Sequence, residues 1–259
     1  MRLRLATWNV NSVRLRAEQV VRFAREQDPD VLCLQEIKCR DSEFPRAEFE
    51  AAGYPHMRIS GQKGSHGVAI VSRLPLEDAP ILDLCREGHA RVVGARVSGI
   101  EVQNFYIPAG GDLPDPEANP KFAHKLDFFA RLTAEARRRD PADALVITGD
   151  LNVAPGENDV WSHRQMLKVV SHTPVEIEAM ETLRAAGGVP EPGKLFSWWS
   201  YRAADFRASN RGLRLDHIWI SPGLRGPALA EGAQARIHDD VRAWERPSDH
   251  APVTADFRL

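Results

Sequence analysis

The chain has 259 residues, 43% hydrophobic and 27% charged, and its 34 Lys and Arg against 36 Asp and Glu leave a formal charge of -2. These proportions belong to a folded globular chain and exclude a mostly disordered, collagenous or membrane-spanning one. The charge balance gives no overall basic field of the kind that marks an obvious nucleic-acid binder, although a total says nothing about where the charges sit.

Residues 2–8 alternate apolar and polar and reach Trp8-Asn9-Val10-Asn11, the pattern of a strand ending in a polar loop. Ser12 predicts the cap of a helix with Val13, Ala17, Val20, Val21 and Ala24 at helical spacing, stopped by Asp28-Pro29-Asp30. Val31-Leu32-Cys33-Leu34 reads as a short buried strand that delivers Gln35 and Glu36. Strands are also predicted at 68–71, 91–97 and 100–106, the last two joined by a Ser98-Gly99 hairpin turn. A long helix follows, with Phe122, Leu126, Phe129, Thr133 and Ala136 on one face and Arg137, Arg138 and Arg139 at the negative end of its dipole. A buried strand over 144–147 runs into Thr148-Gly149-Asp150-Leu151-Asn152, and strands at 214–220 and 252–257 complete the set. Hairpins interleaved with strand–helix–strand units predict mixed sheets flanked by helices. No Gly/Ser/Pro-rich linker or internal repeat divides the chain, so one domain over 1–259 is expected.

The three cysteines, Cys33, Cys39 and Cys85, have no paired spacing, which argues against a disulfide framework or a zinc cluster. The first residues lack the apolar core of a secretion signal, and no run approaches the ~20 apolar residues of a membrane span. A reduced, cytoplasmic setting without a membrane partner is the expectation.

One pattern recurs. A strand-like run ends and a carboxylate or carboxamide appears at once: Asn9 and Asn11, Glu36, Asp150 and Asn152, with Tyr106, Asp216, Asp249 and His250 in similar positions. Strand ends are rigid mounts, and ligand sites of α/β proteins gather in the loops at one end of a sheet. Glu36, Asp150, Asp216 and Asp249 supply oxygen donors, and Asn9 and Asn152 add neutral ones. Such a set suits a hard cation, Mg²⁺ or Mn²⁺, and not zinc. His250 adds a group that exchanges a proton near neutral pH. Carboxylates, a hard metal and a histidine together suit phosphodiester hydrolysis. Each motif alone has a bland reading: turn residues for Asn9 and Asn11, an ion pair with Arg214 for Asp216, a loop cap for Asp249, packing for Trp198 and Trp199. The set taken together favours chemistry.

The chain resembles exonuclease III and the related apurinic/apyrimidinic endonucleases of the endonuclease/exonuclease/phosphatase superfamily. The matching stretches occur in order along the chain: Thr7-Trp8-Asn9-Val10-Asn11-Ser12-Val13-Arg14, Leu34-Gln35-Glu36-Ile37-Lys38, Gly61-Gln62-Lys63-Gly64-Ser65-His66-Gly67-Val68-Ala69, Tyr106-Ile107-Pro108-Ala109-Gly110, Gly149-Asp150-Leu151-Asn152, Phe196-Ser197-Trp198-Trp199-Ser200-Tyr201-Arg202, Arg211-Gly212-Leu213-Arg214-Leu215-Asp216 and Pro247-Ser248-Asp249-His250-Ala251-Pro252.

The resemblance implies a four-layered α/β sandwich, two mixed sheets face to face with helices outside. It implies Glu36 as chief Mg²⁺ ligand with Asn9, Asp249, Asp150, Asn152 and His250 around the metal. Asp150 is then the residue that orients or deprotonates the attacking water, Asn152 its partner at the phosphate, Tyr106 a phosphate contact, and Asp216 the carboxylate that holds His250. Trp198, Leu213 and Leu215 match positions that receive a flipped-out abasic sugar, and Asn11, Lys63, Arg91, Lys121, Arg202 and Arg211 are DNA contacts on this reading. The implied activity is 3′-to-5′ exonuclease, 3′-end cleaning and abasic-site endonuclease on double-stranded DNA, by a monomer. Two departures bear on the balance of those activities. Ala109 stands where the family usually has Asn or Gln, and His163 lies in a loop where it could narrow the pocket toward 3′-end trimming. The competing functions are a superfamily phosphoesterase on a non-DNA substrate and a non-catalytic nucleic-acid-binding relative.

Overall fold

The computed structural model describes residues 2–184, 194–203, 205–224 and 235–258. Among the described residues the strands form two sheets. The first has six strands, β1 (Arg2–Asn9), β2 (Val31–Gln35), β3 (His56–Ser60), β4 (Val68–Ser72), β9 (Arg236–Ile237) and β10 (Val253–Arg258), in the order β3-β4-β2-β1-β10-β9. The second has β5 (Val92–Val97), β6 (Ile100–Tyr106), β7 (Leu145–Asp150) and β8 (Asp216–Ile220), in that order.

Each sheet contains one parallel pair, β1–β2 and β6–β7, and each of those pairs is bridged by a helix. α1 (Val13–Gln27) makes the first crossover and α3 (Pro120–Arg138) the second. The remaining pairs are antiparallel, and β5–β6 turn through Ser98 and Gly99 at φ 50° and 80°, a two-residue hairpin with both central residues left-handed.

Side-chain alternation builds the layers. On β1 and β2, Leu3, Leu5, Val31 and Cys33 meet Val102, Val146 and Ile218 between the sheets. The intervening Ala6, Trp8, Leu32 and Leu34 face outward onto Val13, Val20 and Phe23 of α1 and Phe49 of α2 (Arg46–Ala51). On the far side Phe105 and Trp219 meet Phe128, Phe129 and Leu132 of α3 and Met180 of α5 (Pro174–Arg184). The result is the expected α/β/β/α sandwich. Among the described residues no helix is long and apolar enough to cross a membrane.

The layer between the sheets is not wholly apolar. Gln35 Nε2 donates to Thr7 Oγ1 at 2.9 Å and to Asn104 Oδ1 at 2.7 Å, and Asn104 Nδ2 donates to the carbonyls of Leu34 and Ala69 at 3.0 Å each. All three side chains are fully buried. This knot joins β6 of one sheet to β1, β2 and β4 of the other.

Several local expectations need correction. Ser12 sits at the start of α1, but its φ of 91° turns it away and its side chain makes no cap hydrogen bond. The buried stripe of α3 runs through Phe122, Lys125, Phe128, Phe129, Leu132 and Thr133, so Leu126 and Ala136 are only partly covered. The strand predicted from Arg214 begins at Asp216, because Arg214 turns to pair with Asp159 Oδ1 at 2.5 Å. Asp216, whose bland reading was an ion pair with Arg214, instead has its Oδ2 2.8 Å from His250 Nδ1. β3, α2, α5, α4 (His163–Met166) and α6 (Phe206–Ser209) were not predicted. Cys33 is a buried core residue, as expected.

Candidate active site

The site lies where both sheets end. β1 and β2 of the first sheet bring Asn9 and Glu36, and the loop before β10 brings Asp249 and His250; β6, β7 and β8 of the second sheet bring Tyr106, Asp150, Asn152 and Asp216. The backbone turns sharply just past the strands: Asn11, Glu36 and Asn152 have φ of 44°, 50° and 53°. Non-glycine residues rarely adopt these angles, and they gather where function sets the geometry. Gly149 answers a different constraint. A Cβ there would stand 2.0 Å from the Phe105 carbonyl oxygen, so only glycine lets β7 lie this close to β6 beside Asp150.

Asn9 joins the two carboxylates from the two sheets. Its Nδ2 donates to Glu36 Oε1 and to Asp150 Oδ2, each at 2.9 Å. Asp150 is almost completely buried, and its Oδ1 accepts the Asn152 N–H at 3.0 Å. On the other side His250 Nδ1 lies 2.8 Å from Asp216 Oδ2, and His250 Nε2 lies 3.7 Å from Asp150 Oδ2. The Ser197 hydroxyl accepts from the N–H groups of Leu215 and Asp216 at 3.0 Å each and so fixes the start of β8. Among the described residues the buried Asp216 Oδ1 has no hydrogen-bond partner.

Charge is crowded here. Burial, with Asp216 and Glu36 adding repulsion, pushes the Asp150 carboxyl up to about 7 against the pull of His250 and Asn9. Burial works to lower His250, but Asp216 and Asp150 overcome it and carry the imidazole up to about 10. His250 is therefore protonated at neutral pH, aimed from one carboxylate toward the other. Burial raises the Tyr106 hydroxyl, reinforced by the negative charges of Glu36 and Asp150, so the phenol keeps its proton. Burial would raise Asp249 too, but His250, the Trp198 indole and Asn11 hold it below the usual carboxylate range.

Ligand atoms of Asp150, Asp216 and His250 all lie within 4.8 Å of one another, a spacing that could hold a metal ion. A protonated imidazole has no lone pair to give, however, so that trio acts better on protons. The oxygen donors suited to a cation lie on the Glu36 side of Asn9, where Glu36 Oε1 accepts from Asn9 and Oε2 lies 2.9 Å from Lys38 Nζ. Four buried or half-buried carboxylates, Glu36, Asp150, Asp216 and Asp249, with Asp150 raised to about 7 by its surroundings, carry negative charge that a hard dication would relieve. The residues present fit such an ion.

Other expected residues fall around this centre. Asn11 Nδ2 donates to Asp249 Oδ1 at 3.2 Å, and Trp198 Nε1 donates to Asp249 Oδ2 at 3.0 Å. Trp198 pairs through its backbone with Leu213, and together with Leu215, Val160 and Met166 they line one apolar wall. Trp199 instead fills a core beside Phe196 and Phe206. Lys63, Lys121, Arg202 and Arg211 are exposed, with the Arg211 guanidinium 4.7 Å from the centre of the Trp161 ring. Arg91 is not presented to solvent. It is buried, 4.9 Å over the Tyr106 ring, and donates to the Tyr106 carbonyl at 3.1 Å. Ala109 offers only its carbonyl, which accepts from Lys125 Nζ at 3.2 Å. His163 Nδ1 lies 2.8 Å from His172 Nε2.

Sequence reasoning passed over three residues. Lys38 Nζ sits 2.9 Å from Glu36 Oε2 and also donates to Asn11 Oδ1 at 2.5 Å. Ser248 Oγ donates to the Asn9 carbonyl at 2.7 Å and so ties the histidine loop to β1. Lys125, fully buried, reaches the Asn152 carbonyl at 2.7 Å and Glu176 Oε1 at 2.5 Å. Lys38 falls inside a matched stretch, which was a signal; a lysine on an apolar helix face was the signal for Lys125.

Residues 6–250 match the Endonuclease/Exonuclease/phosphatase family. Exodeoxyribonuclease III of Haemophilus influenzae is 30% identical over 99% of this chain and 100% of its own length. The chain belongs to that family, in its exonuclease III and apurinic/apyrimidinic endonuclease branch. Solved members superpose closely. An AP endonuclease from Archaeoglobus fulgidus has a TM-score of 0.90 and 32% identity, covering 99% of this chain and 100% of that one. The 3′ phosphatase NExo from Neisseria, seen bound to a product DNA hairpin, has a TM-score of 0.88 and 37% identity, again covering 99% and 100%. As a member of this family the chain is a nuclease-type hydrolase.

Proposed function

We propose that this chain is a Mg²⁺-dependent DNA-repair phosphodiesterase, a single catalytic domain acting as a monomer on double-stranded DNA. It removes nucleotides and blocking groups from 3′ ends and incises at abasic sites. The observation that carries the proposal is the Asn9 bridge between Glu36 and Asp150, with the Asp216–His250 pair facing the same Asp150 oxygen. The 3′ phosphatase and AP endonuclease named above support the substrate class.

Glu36, with Asp150 and the carboxamides of Asn9 and Asn152, would hold Mg²⁺, or Mn²⁺ in its place. Such an ion neutralises phosphate charge and polarises the P–O bond. Asp150 accepts the proton of the attacking water. Its environment suits that work, because a carboxylate raised to about 7 is a stronger base than an ordinary one. Protonated His250, oriented by Asp216, donates to a non-bridging phosphate oxygen. The neutral Tyr106 hydroxyl is a second donor. Preorganised donors of this kind are worth about 3 kcal/mol each. Trp198, Leu213 and Leu215 form the apolar seat for a sugar without a base, and Lys63, Lys121, Arg202, Arg211 and Asn11 position the phosphates. Buried Arg91 acts through Tyr106.

The test is cleavage of three duplexes, one with an internal abasic analogue, one with a recessed 3′ end and one with a 3′-phosphate, each with Mg²⁺ or EDTA. EDTA-sensitive cleavage is expected. Folded protein that cleaves none of them defeats the proposal.

A further inference from the structure

A second constellation lies between α3 and the loop that leads into β5. Cys85 Sγ is 3.3 Å from His124 Nε2, and His124 Nδ1 is 3.3 Å from Glu87 Oε2. The two contacts use the two ring nitrogens, so thiol, imidazole and carboxylate form one chain.

A tight turn builds it. Gly88 N–H donates to the Cys85 carbonyl at 3.0 Å, and Gly88 takes a φ of 66°. The turn brings Cys85 and Glu87 to the same helix side chain. Arg86 Nη2, 3.0 Å from Asp127 Oδ1, fastens the turn to α3. An ionised carboxylate only accepts, so Nδ1 of His124 carries the proton and Nε2 is left as the acceptor facing the thiol. Burial, against the pull of Glu87, keeps His124 below the usual histidine range, which makes the ring a neutral base.

The other two thiols have no such arrangement. Cys33 and Cys39 are fully buried among apolar side chains, whereas Cys85 keeps 8% exposure. Burial raises both of the former, Cys39 to about 11.

We propose that Cys85 is a peroxide-reactive thiol, with His124 as its general base and Glu87 holding the ring in place. The reactant class is a small hydroperoxide. His124 Nε2 takes the thiol proton as sulfur attacks one peroxide oxygen. The S–O bond forms and the O–O bond breaks. The departing oxygen takes the proton back from His124 and leaves as water or an alcohol. Sulfur is oxidised to a sulfenic acid and the peroxide is reduced. Glu87 Oε2 also lies 3.2 Å from His89 Nδ1, and the His89 ring stacks at 4.0 Å on His66, whose ring is 6.3 Å from that of Tyr106. The thiol therefore stands at the outer end of a line of rings that leads to the active-site wall.

The experiment needs no DNA and is independent of the nuclease reading. The whole protein is exposed to substoichiometric hydrogen peroxide with dimedone, and labelled peptides are read by mass spectrometry. Label is expected on Cys85 ahead of Cys33 and Cys39, and absent from Cys85 in Cys85→Ser. His124→Gln should slow labelling about a hundredfold, the low end for general-base catalysis. His124 is packed inside and its loss could loosen the fold, so Glu87→Gln, at a half-exposed position, provides the second test. It should slow labelling at an unchanged melting temperature. Label appearing first on Cys33 or Cys39, or a Glu87→Gln rate equal to wild type, overturns the proposal.

Discussion

Lys125→Met tests whether charge inside the α3–α5 layer is held by pairing. Lys125 and Glu176 are both fully buried, with Nζ 2.5 Å from Oε1. The ammonium also donates to the carbonyls of Asn152 and Ala109 at 2.7 and 3.2 Å. Glu176 accepts from the N–H groups of Ser171 and Thr173 and from the Thr173 hydroxyl, the last at 2.6 Å. Removing the lysine leaves a carboxylate in an apolar layer with hydrogen bonds but no counter-charge, and two carbonyls without their donor. Breaking a buried pair on one side costs about 3–5 kcal/mol. The companion variant Lys125→Met/Glu176→Gln removes both charges, and the amide oxygen still serves the Ser171 and Thr173 donors. It should recover about 2 kcal/mol or more of the loss, because desolvating two ions no longer opposes folding. Urea unfolding followed by circular dichroism gives both numbers. A single variant within about 1 kcal/mol of wild type, or a double variant no more stable than the single, refutes the reasoning.

Asp150→Asn and His250→Ala should each lower cleavage of the recessed 3′ end by orders of magnitude while the far-ultraviolet spectrum stays native; near-normal turnover by either would remove that residue from the chemistry. The metal-free protein should lose stability as pH rises. Asp150 is raised from 3.8 to about 7 and His250 from 6.5 to about 10, so the fold holds both protons more tightly than the unfolded chain does. The contribution of Asp150 falls between about pH 4 and 7, and that of His250 is full below about 6.5 and gone above about 10. Melting temperatures from pH 5 to 10 check this. Mg²⁺ competes with the Asp150 proton, so its addition should raise the melting temperature more at pH 8 than at pH 5; an equal rise at both would contradict it. Gly149→Ala must place a methyl group against the Phe105 carbonyl at a φ of 131°, and a loss of about 3 kcal/mol or more is expected in urea.

The central strands were legible because their burial is carried in the pattern itself. β2, β4 and β8 are buried at every position, and the Ser98-Gly99 turn announces its hairpin. β3 was missed because each of its residues is only half covered, so His56-Met57-Arg58-Ile59-Ser60 shows no clean alternation. The face of α3 was misread for a different reason. Lys125 counts as polar in any periodicity argument, yet Glu176, distant in sequence, makes its burial tolerable. At the site, strand-end carboxylates could be found by eye, and the matched stretches ordered them. The partnership of each could not. Asp216 was open to pairing with Arg214 or with His250, and only the turn of Arg214 to Asp159 decided it. Likewise Arg91 reads as a surface cation and is in fact a buried platform under Tyr106.

The knot of Gln35, Asn104 and Thr7 has a mechanical meaning. Two greasy sheets facing each other can slide by a fraction of a residue at little cost, since apolar contact is not directional. Hydrogen bonds are directional, and a buried amide shifted off its acceptors costs about 1–3 kcal/mol. The knot therefore works as an indexing pin: it allows one alignment of the sheets and penalises its neighbours. Gln35 immediately precedes Glu36, and Asn104 lies on the strand next to the one that ends in Asp150. The gap between the carboxylates is thus gauged from behind, inside dry protein, and the open front can change its lining for a different substrate without resetting it.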